Sequence, residues 1–276
     1  MLHSTFQLAG GVGPSREQRL WAAGITSWDD FPSAPAVALT PRIDGVLRDA
    51  IARARAASAH ADAGGLASLL PPREHWRLLP LLGDGALYLD IETGDDVFGF
   101  EGISAIGLCD RHGPRLLLGG RDLGRFPEVA RDHAVMVTFN GLSFDLPILR
   151  RAFPGWLPPP CQIDLRHVLA RLGWEGGLKA IERAVGLRRP DHLDGLGGWD
   201  AARLWRSGRE GDRAALRLFA EYNLYDVINL RSLAALAYNA LVDRLSVPAV
   251  RAAVPPLPVP GRGDVLYDVS KILLGL

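Results

Sequence analysis

The run ALYLDIETG, from Ala86 to Gly94, constrains the fold more than any other stretch of the chain. Ala86 to Ile91 is too short and too rich in bulky apolar residues for a surface loop, and it reads as a buried strand. Side chains alternate faces along a strand, so Asp90 and Glu92 point the same way while Ile91 points into the core. Two carboxylates side by side at the end of a buried strand repel each other and lose solvation. A divalent metal between them is the usual positive partner of such a pair. A strand that simply ends in solvated acids is the alternative that this stretch leaves open.

The rest of the chain supplies partners. Val135 to Phe139 (VMVTF) is a second buried-strand pattern, followed by Asn140, Gly141, Phe144 and Asp145. Asp145 thus enters the helical pattern that runs from Leu146 to Phe153. Within the helix-like segment Glu210 to Ala240, Tyr222 and Asp226 lie four apart, which puts both on one helical face. Hairpin-spaced strands at Ile103 to Cys109 and Arg115 to Leu118, then a crossover helix near Phe126 to Arg131, indicate a mixed sheet.

In chain order, the strand with Asp90 and Glu92, then NGLSFD, then YNLYD resemble the three exonuclease motifs of the DEDD (DnaQ-like) 3'-to-5' exonuclease superfamily. Tyr222 stands four residues before Asp226, as in the DEDDy branch, and Glu221 stands where the DEDDh branch carries histidine. The runs VTFNGLSFDLPILRRAFP, CQIDLRHVL, GGLKAIERAVGL and YNLYDVINL are similar to the bacterial YprB-like, ribonuclease H-like group. The resemblance covers Leu81 to Asn239. It departs at Gly94, Asp95, Asp96 and Val97, where many relatives carry a second threonine and Gly-Leu.

The resemblance implies an α/β fold: a ribonuclease H-like mixed sheet flanked by helices, preceded by a small helical N-terminal region. It implies a 3'-5' exonuclease that hydrolyses phosphodiester bonds of single-stranded or end-frayed nucleic acid, DNA or RNA, with two divalent ions. Two such ions, roughly 3.5 to 4 Å apart, ionise the attacking water and relieve charge on the leaving oxygen. Asp90 is expected to bridge both, with Glu92 and Asp226 completing one site and Asp145 helping the other. An all-oxygen ligand set suits Mg2+ or Mn2+. Tyr222 is expected to orient the attacking water and help deprotonate it. Thr93, Asn140, Phe144 and Lys179 are the candidate substrate contacts, with Phe144 as pure core and Lys179 as an exposed lysine for the alternatives. Asp164 ends a further strand, Cys161 to Leu165, where the YprB-like group also has an acid. It is expected to cap the helix that follows. A nucleic-acid-binding module on the same fold that no longer cleaves, or an assembly factor, is the competing reading.

Composition sets limits. Basic and acidic residues balance at 31 each, so no bulk field draws the chain to nucleic acid and any such contact is local. Two cysteines, Cys109 and Cys161, exclude a disulfide framework and a cysteine-based zinc cluster, and read as buried free thiols. No signal-peptide pattern or membrane-length apolar run is present, so the expectation is a cytoplasmic protein that meets no membrane.

Three regions are expected: 1–75 helical, 76–245 the ribonuclease H-like exonuclease domain, and 246–276 a Pro-rich arm. In the first, Gly10 to Pro14 feeding a helix through Arg16, Leu20 and Trp21 resembles half of a helix-hairpin-helix unit, which contacts nucleic-acid backbone. A glycine loop capping a packing helix is the equal alternative. Pro41 to Asp62 reads as an amphipathic helix, with Gly64, Gly65, Pro71 and Pro72 as a linker. Gly176 and Gly177 open a helix, Leu178 to Val185. Arg188 to Gly198 reads as loop, and its His192 as a solvated residue without a role. Val247 to Gly263 is expected to hold neither helix nor central strand, and Val265 to Leu276 to pack back on the body or meet a partner.

Overall fold

A computed structural model of the chain describes residues 1–33, 39–94, 102–260 and 269–276. Helices α1 (Pro14–Ala22), α2 (Pro41–Ala59), α3 (Ala63–Leu69) and the single turn α4 (Leu79–Leu82) come first. Strands β1 (Ala86–Thr93), β2 (Ile103–Asp110) and β3 (Gly113–Leu118) follow, then α5 (Phe126–Ala130), β4 (Val135–Thr138), α6 (Asp145–Ala152) and β5 (Cys161–Asp164). Helices α7 (Leu165–Ala170), α8 (Leu178–Ala184), α9 (Gly198–Arg209), α10 (Arg213–Asp243), α11 (Pro248–Ala253) and α12 (Ser270–Leu274) complete the order.

The five strands form one mixed sheet in the order β3-β2-β1-β4-β5. β1 and β3 pair antiparallel with β2, while β4 pairs parallel with both β1 and β5. β1 is therefore central, and its alternation divides the core. Leu87, Leu89 and Ile91 join Phe126, Leu146, Leu149 and Phe153 beneath the sheet, where α5 and α6 lie. Ala86 and Tyr88 face the other way, into a cluster with Val227, Leu230 and Leu233 of α10. Asp90 and Glu92 continue that second row, so strand periodicity alone turns both acids towards α10.

The cluster under α10 also takes in Phe6, Leu20, Trp21, Leu47, Ile51 and Leu66, so α1, α2 and α3 share a core with the sheet. Trp21 and Trp28 donate their indole N–H groups to the carbonyls of Ser4 and Thr5, which ties the α1 region to the first residues of the chain. α1 starts at Gly13 with Pro14 at its first position, a placement in which the missing N–H costs nothing. Both cysteines are free and buried, as expected.

Two local expectations are overturned, and one helix was not anticipated. Gly64 and Gly65 are not linker but lie inside α3, whose start Asp62 caps through the Gly65 N–H. A Cβ at Gly65 would stand 2.4 Å from Asp62 Oδ2 and 3.2 Å from Ala57 Cβ, so glycine is what lets α3 close against its cap and α2. The Pro-rich tail does hold a helix, α11, because Pro248 sits at its first position, where proline is favoured. Residues 198–209, to which the sequence assigned no helix, form α9.

Beyond α11 the tail is pinned to α10: Asn239 accepts from Leu257 N–H at 2.7 Å and donates to Leu257 O at 2.9 Å. Val269 packs with Phe219, Tyr222 and Tyr225, bringing the apolar end onto the body. The departure at Asp95 to Val97, the end of the arm at 261–263 and the start of the apolar end at 265–268 lie outside the described residues.

Candidate metal centre

The site forms where the tip of β1 meets α10. The β1–β4 ladder ends at Tyr88, and past it the Ile91 N–H donates to Asp145 Oδ1 at 3.0 Å. That bond fastens the first residue of α6 to the strand that carries Asp90 and Glu92. On the other side Asp90 pairs with Gly107 of β2. Asn223 of α10 lies over Gly107 and donates from Nδ2 to Asp90 Oδ2 at 3.1 Å. One turn along α10, Asp226 joins them. Ligand oxygens of Asp90, Glu92 and Asp226 all lie within 4.8 Å of one another.

Acids this close carry a charge penalty. Burial, with Asp226, Asp145 and Glu92 nearby, holds Asp90 well above the usual carboxylate range. Burial and Asp226 push Glu92 up to about 8. Burial pushes Asp145 up to about 7, against the pull of the Ile91 N–H. Burial and the carboxylates of Asp226, Glu92 and Asp90 likewise raise the Tyr222 phenol, so its hydroxyl keeps its proton. An all-carboxylate cluster that resists ionisation fits a hard divalent cation, which would restore the missing charge balance.

Some positive charge is already present. Lys179, at the start of α8, lies 3.2 Å from Asp226 Oδ1, with its ammonium 4.1 Å from the centroid of the Tyr222 ring. Arg189 Nη2 lies 2.6 Å from the same oxygen. Arg189 is itself held by Glu182 of α8, through Nε at 2.7 Å and Nη2 at 2.8 Å.

The loop after β4 is built around Asp164. Its carboxylate accepts from the Arg166 N–H at 3.0 Å, the expected cap of α7, and also from the N–H groups of Asn140 at 2.8 Å and Leu142 at 3.1 Å. Asn140 adopts a left-handed φ of 65°, and its Oδ1 accepts from Arg166 Nη1 at 2.7 Å. Phe144 is 43% exposed, which rules out the pure-core alternative. Phe139, Asn140, Arg166, Trp174 and Gly198 line an open cleft of about 880 Å³. Trp199, 91% exposed, follows Gly198. Thr93 ends β1 at a register shift opposite Ile103.

The structure thus brings together Asp90, Glu92, Asp145, Tyr222 and Asp226, with Lys179 inside the group, while Asn140 and Phe144 stand on the adjoining loop. His192 is exposed, as expected, and its Nε2 lies 2.8 Å from Glu221 Oε2. Sequence reasoning missed Asn223, Glu182 and Arg189. For Asn223 a signal existed: a polar residue on the buried face of a helix, beside Tyr222.

No helix among the described residues is long and apolar enough to cross a membrane. No curated protein matches the chain. Among solved structures, the family B DNA polymerase from the hyperthermophilic archaeon Pyrobaculum calidifontis is similar at 18% identity and a TM-score of 0.44. The similarity covers 61% of this chain and 27% of the polymerase chain. Residues 87–238 match the family model RNase_H_2, described as RNase_H superfamily, and that stretch holds all five strands except the first residue of β1, and the whole acidic cluster. The mixed sheet flanked by helices is thus ribonuclease H-like, and the chain belongs to the RNase_H superfamily.

Proposed function

We propose that the chain is a two-metal 3'-5' exonuclease of the DEDDy type, close to the YprB-like group, acting on single-stranded or end-frayed DNA or RNA. The observation that carries this reading is the convergence of Asp90, Glu92 and Asp226 to within 4.8 Å, with Asp145 tied to the same strand by one hydrogen bond. Asp90, Glu92 and Asp226 would hold one Mg2+ or Mn2+ ion, and Asp145 with Asp90 a second. Bound ions would supply an ionised water and relief of charge at the leaving oxygen.

The chain's own groups do the rest. Asn223 fixes the Asp90 carboxylate through Oδ2. Tyr222, whose phenol stays protonated, presents a hydroxyl that orients the attacking water. Phe139 and Trp174 line the adjoining cleft with Arg166 and Glu175, so a single strand there would meet two aromatic side chains, one cation and one acid. Thr93, Asn140, Phe144 and Lys179 are the proposed substrate contacts. In this reading the catalytic unit is 76–245, with 1–75 and 246–276 as flanking regions.

One observation favours a second reading. Lys179 and Arg189 already offset the charge of Asp226 without a metal, as a binding module that no longer cleaves would require. Single-stranded DNA and RNA labelled at the 5' end, incubated with Mn2+ and separately with chelator, decide the matter. A metal-dependent ladder shortening from the 3' end is the expected result. Binding without cleavage supports the module and removes the enzyme.

A further inference from the structure

The Glu182–Arg189–Asp226 chain points to a role for Arg189 that the acids alone do not supply. Its guanidinium is forked: Nε and Nη2 lie on the two carboxylate oxygens of Glu182, and Nη2 also meets Asp226 Oδ1. Both partners are almost fully enclosed, with side-chain exposures of 2% for Glu182 and 4% for Asp226. Lys179 uses the same Oδ1. Two cations on one oxygen leave Oδ2 of Asp226 as the oxygen free of them. An enclosed ion pair adds little stability for its own sake, since desolvation offsets most of the attraction. Ending such a chain on a proposed metal ligand does something else: it fixes the ligand's rotamer, as outer partners of metal-binding side chains do.

We infer that Arg189, anchored by Glu182, is a positioning residue that sets the Asp226 carboxylate for the divalent ion. The inference rests on the proposed metal site. Arg189 touches neither substrate nor ion; it acts through Asp226. Lysine cannot replace it, because an ammonium is a point charge and cannot span two carboxylates with a planar fork.

The test is Mn2+ binding to the full chain without nucleic acid, followed by the electron paramagnetic resonance of free Mn2+. The double variant Glu182→Gln/Arg189→Gln removes one negative and one positive charge, so the formal charge beside the site is unchanged and only the positioning is lost. Mn2+ affinity should fall about 10- to 100-fold while the far-ultraviolet circular dichroism of the chelator-treated protein is retained. Arg189→Lys, which keeps the charge, should show a loss in the same direction, and it decides the matter if the double variant does not fold. Unchanged or tighter Mn2+ binding in the folded double variant, or wild-type affinity in Arg189→Lys, overturns the inference. A wild-type chain that binds no Mn2+ overturns this inference and the proposed function together. A wild-type chain that binds Mn2+ and loses it in the variants, yet cleaves nothing, leaves this inference standing and removes the enzyme alone.

Discussion

Asn223 occupies the space that a side chain at Gly107 would fill: a Cβ there would stand 2.4 Å from Asn223 Oδ1 and 3.0 Å from Val227 Cγ1. Gly107 is the strand partner of Asp90, so this gap is what lets α10 press close enough for Asn223 to reach the acid. Gly107→Ala should push α10 off the sheet at that point. Overpacking of this kind costs about 1–3 kcal/mol, read as a lower urea midpoint with an unchanged slope. Mn2+ binding should weaken in the same variant. An unaltered midpoint would show that α10 does not depend on the gap.

Asn223→Ala removes the hydrogen bond to Asp90, and the buried side chain with it, while leaving Gly107 in place. The side chain gives one bond to Asp90, while its Oδ1 meets no partner. Truncation therefore removes one donor and little else that is paired. Metal affinity or metal-dependent cleavage should drop about 10- to 100-fold, the usual effect of losing a partner of a metal-binding carboxylate. Full retention of both would mean that Asp90 needs no outside orientation.

The acidic cluster predicts an unusual pH response in chelator. Glu92 rises from 4.5 to about 8 and Asp145 from 3.8 to about 7, so the native state favours their protonated forms. Such acids contribute stability that is fully present below their unfolded values near pH 4 and is lost as pH rises through 7 and 8. Glu92→Gln mimics the neutral acid and escapes its share of that loss. In thermal melts without metal, the variant should gain on wild type as pH increases through this window. Added Mn2+ should reverse the order, because metal binding needs the ionised carboxylates. A constant gap between the two proteins across the window would contradict the enclosed, mutually repelling cluster.

What could be read from the chain follows from how local the physics is. Asp90 and Glu92 were legible because strand alternation fixes them on one face, and Tyr222 with Asp226 because a helix turn does the same. Arg189 was not, because its meaning depends on where the loop after α8 runs, and nothing local separates it from the other arginines of the chain. Asn223 was half legible: its place on the buried face is periodic, but its partner sits on a strand far away in sequence. Helix α11 was missed by counting prolines without regard to position, since a proline that would break a helix interior begins one without cost. Helix α3 was missed for the matching reason with glycine, which was read as freedom where Gly65 provides clearance.

Asp164 holds three backbone N–H groups, those of Asn140, Leu142 and Arg166. It therefore secures the left-handed turn at Asn140 as well as the start of α7. Asp164→Ala leaves all three donors without that acceptor, at about 1–3 kcal/mol for each that stays buried and unsatisfied. Asp164→Asn keeps one accepting oxygen and should lose less. Since Asp145 follows this turn directly, cleavage should fall further than stability in both variants. Equal stability of Asp164→Ala and wild type would reduce the acid to a bystander.

Arg77 tests whether the N-terminal helices are a separable unit. It donates from Nη1 and Nη2 to the two oxygens of Glu17, at 2.9 Å each, and from Nε to Glu74 at 2.7 Å, with side-chain exposures of 4% or less for all three. Nη1 also reaches Thr5 Oγ1 at 2.7 Å. The arginine thus links α1 to the segment just before the sheet, inside the cluster that both regions share. Arg77→Met leaves the enclosed Glu17 without its cation and Glu74 with only Arg171 at 3.3 Å and Arg73 at 3.8 Å, which costs about 3–5 kcal/mol. The loss should appear as a downward shift of one cooperative transition, because one core cluster among the described residues joins the helices ahead of β1 to the sheet. Two resolved transitions, with only the first displaced, would mean that the helices ahead of β1 unfold independently and that Arg77 merely joins two bodies.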